Sequence, residues 1–145
     1  MIDTATKKLE EPVPATATIP PSLLDLFEEP ALGHISYTND QGHIVTFPMW
    51  VDYDGEHLLV SSPVGSRKGA AMRERPQVAV SIASTKNQFH WLSASGRVVE
   101  FRPDVDLAFI DRMSRKYLGT DYGRRTPREV FVIEIDRISD SGGWG

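Results

Sequence analysis

The 145-residue sequence has no cysteine. Disulfides, thiolate metal sites and a cysteine nucleophile are therefore excluded, in keeping with a reducing, cytoplasmic setting. No apolar run approaches the ~18 residues of a membrane span, and the N-terminus lacks the apolar core of a signal peptide. No membrane partner is expected. The four histidines (His34, His43, His57 and His90) show no i,i+4 pair or other ligand spacing, so no metal site is expected. There is no Gly-x-Ser-x-Gly elbow, no Gly-x-Gly-x-x-Gly and no Walker loop. No side chain stands out as catalytic, and hard chemistry would have to come from a bound cofactor. The net charge of −4 argues against nucleic acid as a partner, because such domains are usually basic.

What is present is ordinary for a globular domain: 40% hydrophobic and 25% charged residues, enough for one core. Residues 1–20, with Pro12, Pro14 and Pro20, read as a flexible N-terminal arm, and 21–145 as the domain. A short helix over Pro21–Glu28 is expected to place Leu23, Leu24 and Phe27 on the core. Ile35 and Tyr37 then alternate as in a strand, and Asn39 to Gly42 makes a turn. His43 to Tyr53 reads as one long strand whose odd positions (Val45, Phe47, Met49, Val51, Tyr53) form its core face. Pro48 cannot donate to a ladder, so it belongs at an edge or a bulge.

Further strands are expected over Glu56–Ser62, Val78–Ile82 and Gln88–Phe101, the last with Phe89, Trp91, Val99 and Phe101 on one face. Ala94 and Gly96 on its other face are small, as where a backbone or a flat ligand comes close. Pro103 suits the first position of a helix that carries Leu107, Ile110, Met113 and Tyr117 and closes at Gly119. A last strand runs from Glu129 to Ile138, and a Ser-Gly-Gly tail ends in Trp144. The expected fold is mainly β with peripheral helices (α+β). About six antiparallel strands would close into a small barrel, which removes exposed edges.

The densest chemistry lies in residues 65–76, between two apolar runs. Arg67, Lys68, Arg73 and Arg75 face one anion there, Glu74, a local charge of +3 in an acidic chain. Ser66 is placed to cap a helix that Pro76 ends. Arg67 and Lys68 fall at that helix's N-terminus, where the dipole disfavours cations unless an anion sits beside them. With Ser61 and Ser62 just upstream, the segment can cradle a phosphate. It can equally be a solvated basic turn. Trp50 and Trp91 can be ligand contacts or aromatics of the core or an interface.

The order of these elements resembles a known family. Gly33-His34-Ile35-Ser36, Val45-Thr46-Phe47-Pro48-Met49-Trp50-Val51, Ser61-Ser62 ahead of Ser66-Arg67-Lys68, and Arg73-x-x-Pro76-x-Val78 resemble the FMN- and deazaflavin-binding split β-barrel proteins of the pyridoxamine 5'-phosphate oxidase-like superfamily. Gly96-Arg97-Val98-Val99-Glu100 and Arg115-Lys116-Tyr117-Leu118-Gly119 are similar to its small deazaflavin (coenzyme F-420)-dependent reductases. The resemblance implies a homodimer of six-stranded barrels with a cofactor in each interface cleft. Ser61, Ser62, Ser66, Arg67 and Lys68 would hold its phosphate. Thr46, Phe47 and Pro48 would border its ring, Trp91 of the mate subunit would add a contact, and Trp50 would meet the substrate. The implied activity is hydride transfer from reduced deazaflavin to a planar conjugated acceptor (quinone-, tetrapyrrole- or enone-like). FMN-dependent oxidation is one alternative; non-catalytic binding of a flavin, deazaflavin or tetrapyrrole is another. The chain departs from the family pattern at Ser66, usually basic, and at Ala71, usually asparagine.

Overall fold

A computed structural model describes residues 17–141. Seven strands form one antiparallel sheet: β1 (Gly33–Thr38), β2 (Ile44–Met49), β3 (Asp52–Tyr53), β4 (His57–Pro63), β5 (Gln77–Ala83), β6 (Trp91–Pro103) and β7 (Arg128–Asp140). Two α-helices accompany it, α1 (Arg67–Glu74) and α2 (Ala108–Leu118), with 3-10 turns at Pro21–Phe27 and Val105–Leu107. In space the strands run β2-β1-β5-β6-β7-β4-β3. β2 and β3 are thus the two edges of the sheet, yet only Trp50 and Val51 separate them in the chain. A sheet whose edges are tied by two residues must curl, and the result is a half-barrel.

That tie corrects the expectation of one strand over His43–Tyr53 and of six strands in all. The run breaks at Trp50–Val51, where it leaves β1 and pairs with β4 instead (Asp52 opposite Leu59). Of its proposed core face only Val51 is fully buried; Phe47 remains 37% exposed. Pro48 does lie on an edge strand, opposite His34.

β4 and β7 are buried on both faces, which explains their unbroken apolar runs. Leu58, Val60, Phe131, Ile133 and Ile135 point into the barrel core. Leu59, Val130 and Val132 point the other way, against Phe109 and Met113 of α2.

Three other expectations shift. In β6 the face reverses: Leu92, Ala94 and Val98 are buried, while Phe89 (50% exposed) precedes the strand and Val99 is 45% exposed. A bulge between Val98 and Glu100 changes the alternation, so Phe101 returns to the core side. Gly96 stands where a backbone comes close, since an added Cβ would collide with the Glu134 carbonyl. The first helix is 3-10, with a period of three, so Leu23 and Leu26 are buried and Leu24 is exposed. Pro103 ends β6 rather than opening a helix. The cap comes from Asp104, whose carboxylate accepts the Phe109 and Ile110 N–H groups at 2.8 and 3.0 Å.

The arm over 1–20 lies outside the described residues as far as residue 16, as does the end of the tail from 142. Its last part is docked: Ala17 N–H donates to Ile135 O (2.9 Å), Ile19 N–H to the Tyr53 hydroxyl (3.2 Å), and Ile19 is 5% exposed. Among the described residues no helix is long and apolar enough to cross a membrane.

Candidate functional site

A cleft of about 400 Å³ opens beside the corner that joins β2 to β3. Pro48, Met49 and Trp50 form one wall, Phe109, Ile110 and Met113 of α2 another, and Ser61, Ser62, Lys68 and Arg128 the polar end. Tyr122, from the loop before β7, completes the rim.

Strand alternation sorts the two serines. Ser61 follows Leu59 on the α2 face of β4, and Arg128 stands opposite Pro63 in the register, so Ser61 and Arg128 are diagonal neighbours. Arg128 Nε donates to Ser61 Oγ at 2.9 Å. Ser62 is fully buried and donates to Ser66 Oγ (2.8 Å), which accepts the Gly69 N–H (3.0 Å). Ser66 is therefore the helix cap, and it fixes Ser62.

Lys68, in the first turn of α1, has no carboxylate partner among the described residues. Its Nζ lies 4.5 Å from the centre of the Phe47 ring. Burial, and then the charge of Arg128, push its pKa below the ordinary 10.5. Arg128 sits 5.0 Å from the centre of the Tyr122 ring. Burial likewise lowers its pKa, while Tyr122 and Asp104 pull the other way. Two cations that raise each other's energy thus share one end of the cleft.

The aromatic side is tied down. Trp50 stacks on Tyr117 (centroids 5.1 Å apart, planes at 12°) and meets Tyr122 edge-on at 6.0 Å. The Tyr117 hydroxyl donates to Ala31 O at 2.6 Å, and Lys116 Nζ to Phe27 O at 2.8 Å. Tyr122 is held through its backbone: Asp111 accepts its N–H (3.0 Å) and both Arg125 Nη groups (2.7 and 3.1 Å).

Of the residues expected from sequence, the structure brings Pro48, Trp50, Ser61, Ser62 and Lys68 to the cleft. Phe47, Ser66 and Arg67 line an adjoining groove of about 730 Å³ that shares only Lys68 with it. Thr46 turns its hydroxyl to Ser36 (3.0 Å). Trp91, opposite Ala83 at the start of β6, does not line the cleft. Sequence reasoning missed Arg128, Tyr122 and the α2 wall. Neither of the first two carries a local motif: Arg128 reaches the cleft through the pairing of β7 with β4, and Tyr122 through its N–H bond to Asp111 of α2.

A curled antiparallel sheet with a partly aromatic cleft that carries two cations at one end describes the class of protein. A family model described as pyridoxamine 5'-phosphate oxidase matches residues 19–142, and the chain belongs to that family. Among solved structures it is similar to an F420 reductase, at 25% identity over 83% of this chain and 98% of that one, TM-score 0.74. A pyridoxamine 5'-phosphate oxidase-type protein from Listeria innocua (17% identity, 82% and 92% covered, TM-score 0.61) and HupZ from Group A Streptococcus (11% identity, 84% and 93% covered, TM-score 0.61) share the fold. No curated protein matches in sequence. The family and its neighbours include oxidoreductases.

Proposed function

We propose that the protein is an oxidoreductase that binds the deazaflavin coenzyme F-420 in this cleft and reduces a planar conjugated acceptor. The observation that carries this reading is the division of the cleft. One end has Lys68, without a carboxylate partner among the described residues, beside two serines; the rest is largely apolar and aromatic. The donor set fits a phosphate-bearing ring system. FMN offers the same two features and is the alternative cofactor. The likeness to an F420 reductase favours the deazaflavin.

Lys68 and Ser61 would hold the phosphate, Ser62 would back the cradle through its bond to Ser66, and Pro48 with Met49 would border the ring. Phe109, Ile110 and Met113 would keep water from the inner wall, and Trp50 would meet the acceptor. Bound there, reduced deazaflavin supplies a hydride. Among the described residues no carboxylate or histidine lines the cleft, and the chain's part in this reading is to bind, orient and exclude water. Two copies would pair to complete the site, with Trp91 of the second copy adding a contact, in the cytoplasm of the cell.

The test is spectroscopic. Purified protein is titrated with F-420 and with FMN, reduced without air, and mixed with a naphthoquinone. Binding of F-420 followed by quinone-dependent reoxidation supports the proposal. Binding without turnover makes the protein a cofactor carrier, and FMN-only turnover moves it to the alternative cofactor. Binding of neither overturns it.

A further inference from the structure

Several arginines elsewhere sit against carboxylates, among them Arg73 on Glu129 at 2.6 Å, Arg97 on Glu134 at 3.4 Å, Arg112 on Asp52 at 2.5 Å and Arg125 on Asp111 at 2.7 Å. Arg67, Arg124 and Arg137, which form no such pair among the described residues, are exposed to solvent. Arg128 is part-buried and forms no such pair among the described residues. Asp104 acts on it only from a distance, with its oxygens accepting the Phe109 and Ile110 N–H groups. What holds Arg128 instead is neutral: the Ser61 hydroxyl at Nε and the face of Tyr122. Lys68 is held in the same manner, over Phe47. A π face steadies a cation without cancelling its charge. A carboxylate would have neutralised each of them.

Both cations line one cleft and repel each other there. Burying two uncompensated like charges is costly unless an anion offsets them. Arg67, expected from sequence to assist Lys68, is exposed and lines the adjoining groove instead.

We propose that Arg128, not Arg67, is the second phosphate-binding residue: Lys68 and Arg128 grip one phosphate between them, with Arg128 aimed by Ser61 and Tyr122. This rests on the reading that the cleft takes a phosphate-bearing cofactor. It assigns the phosphate to the β4–β7 seam rather than to the end of α1 alone. A guanidinium adds two-point recognition that a lysine cannot supply.

FMN and riboflavin differ only by the phosphate, so they are the probes. In full-length protein, Arg128→Gln is expected to weaken FMN binding ten- to a hundredfold and leave riboflavin within twofold. Arg67→Gln should change neither by more than about twofold. Arg128→Lys should fall between parent and Arg128→Gln, and it serves if the Gln variant folds poorly. A Lys68→Gln/Arg128→Gln pair should lose less than the two single losses combined, because both side chains serve one group. A second readout needs no flavin. Titration of inorganic phosphate, followed by NMR of ¹³C-dimethylated lysines with Lys68 assigned by Lys68→Arg, should move the Lys68 signal in parent and not in Arg128→Gln. If neither flavin binds, the F-420 titration decides the functional reading and this phosphate titration alone decides the inference. An unchanged FMN-to-riboflavin ratio in Arg128→Gln, or an equal loss in Arg67→Gln, overturns it. So does a parent that binds no flavin and whose Lys68 signal ignores phosphate.

Discussion

Trp50 lies flat on Tyr117, the two rings 5.1 Å apart and inclined by 12°. Trp50 comes from the corner between the sheet's two edges and Tyr117 from the last turn of α2, so the stack fastens the helix to the seam. The Tyr117 hydroxyl adds a bond to Ala31 O. Tyr117→Phe should therefore cost about 1 kcal/mol through the unpaired carbonyl and keep the stack. Tyr117→Ala should cost more and shift Trp50 emission. Urea titration with fluorescence detection separates the two; equal losses and equal spectra would show that the stack does not order Trp50.

Lys68→Ala should weaken cofactor binding roughly ten- to a hundredfold, as expected for a charge-assisted contact of about 1.5–3 kcal/mol. Glu74→Ala is the control, since among the described residues Glu74 pairs with neighbouring Arg75 and no other cation. Because Lys68 loses its proton below pH 10.5, binding should decline in alkali earlier than an ordinary lysine would allow. A parent whose binding declines in alkali no earlier than that of Lys68→Arg would remove Lys68 from the site.

Glu29 gives an acid dependence. Burial raises its pKa, but hydrogen bonds from the Thr85 N–H, Thr85 Oγ1 and Ser84 Oγ outweigh that and leave it below 4.5. A lowered folded-state pKa means the unfolded chain takes the proton first. The stabilisation is then complete above about pH 4.5 and lost as pH falls through the folded value. Glu29→Gln should be less stable than parent at pH 7, with the gap closing below pH 4. Melting curves from pH 3 to 7 check this, and a gap that stays constant would refute it.

Gly96→Ala should be among the most damaging single changes. The new methyl group would strike a backbone carbonyl on β7, which cannot move aside as a flexible side chain can. A loss of several kcal/mol or failure to fold is expected, read by thermal denaturation. Ala94→Gly on the same strand is the comparison.

Ile44 on edge strand β2 is 77% exposed and Phe47 37%, and apolar side chains on an open edge invite a partner. We expect an isologous dimer that buries more than ~1,500 Å² in total. Light scattering that gives the monomer mass at micromolar concentration would end both the dimer and the shared-site idea.

Local rules located much of this fold. Proline's missing donor put Pro48 on an edge, Ser66 was readable as a cap, and Gly96 as a close approach. What escaped depended on events between strands. A break at Trp50–Val51 follows from curling, which no alternation of side chains reveals. The reversed face of β6 comes from a bulge that leaves residues 91–98 and Phe101 on opposite parities. At the cleft, Ser61, Ser62 and Lys68 were legible because they are close in sequence. Arg128 was not, because its partner Ser61 lies 67 positions away and only the β4–β7 register joins them.

The placement of β4 has a consequence for how the protein is made. Its strand neighbours are β7, at the far end of the described chain, and the two-residue β3. While the chain is being synthesised, Ser61 and Ser62 therefore emerge long before the strand that backs them. Pairings so distant in sequence form slowly. A nascent chain stalled before Arg128 should hold a completed β1–β2 hairpin but no competent cleft. Ligand capture would then have to wait until translation is nearly finished, and a nonsense codon upstream of β7 would leave a chain without binding.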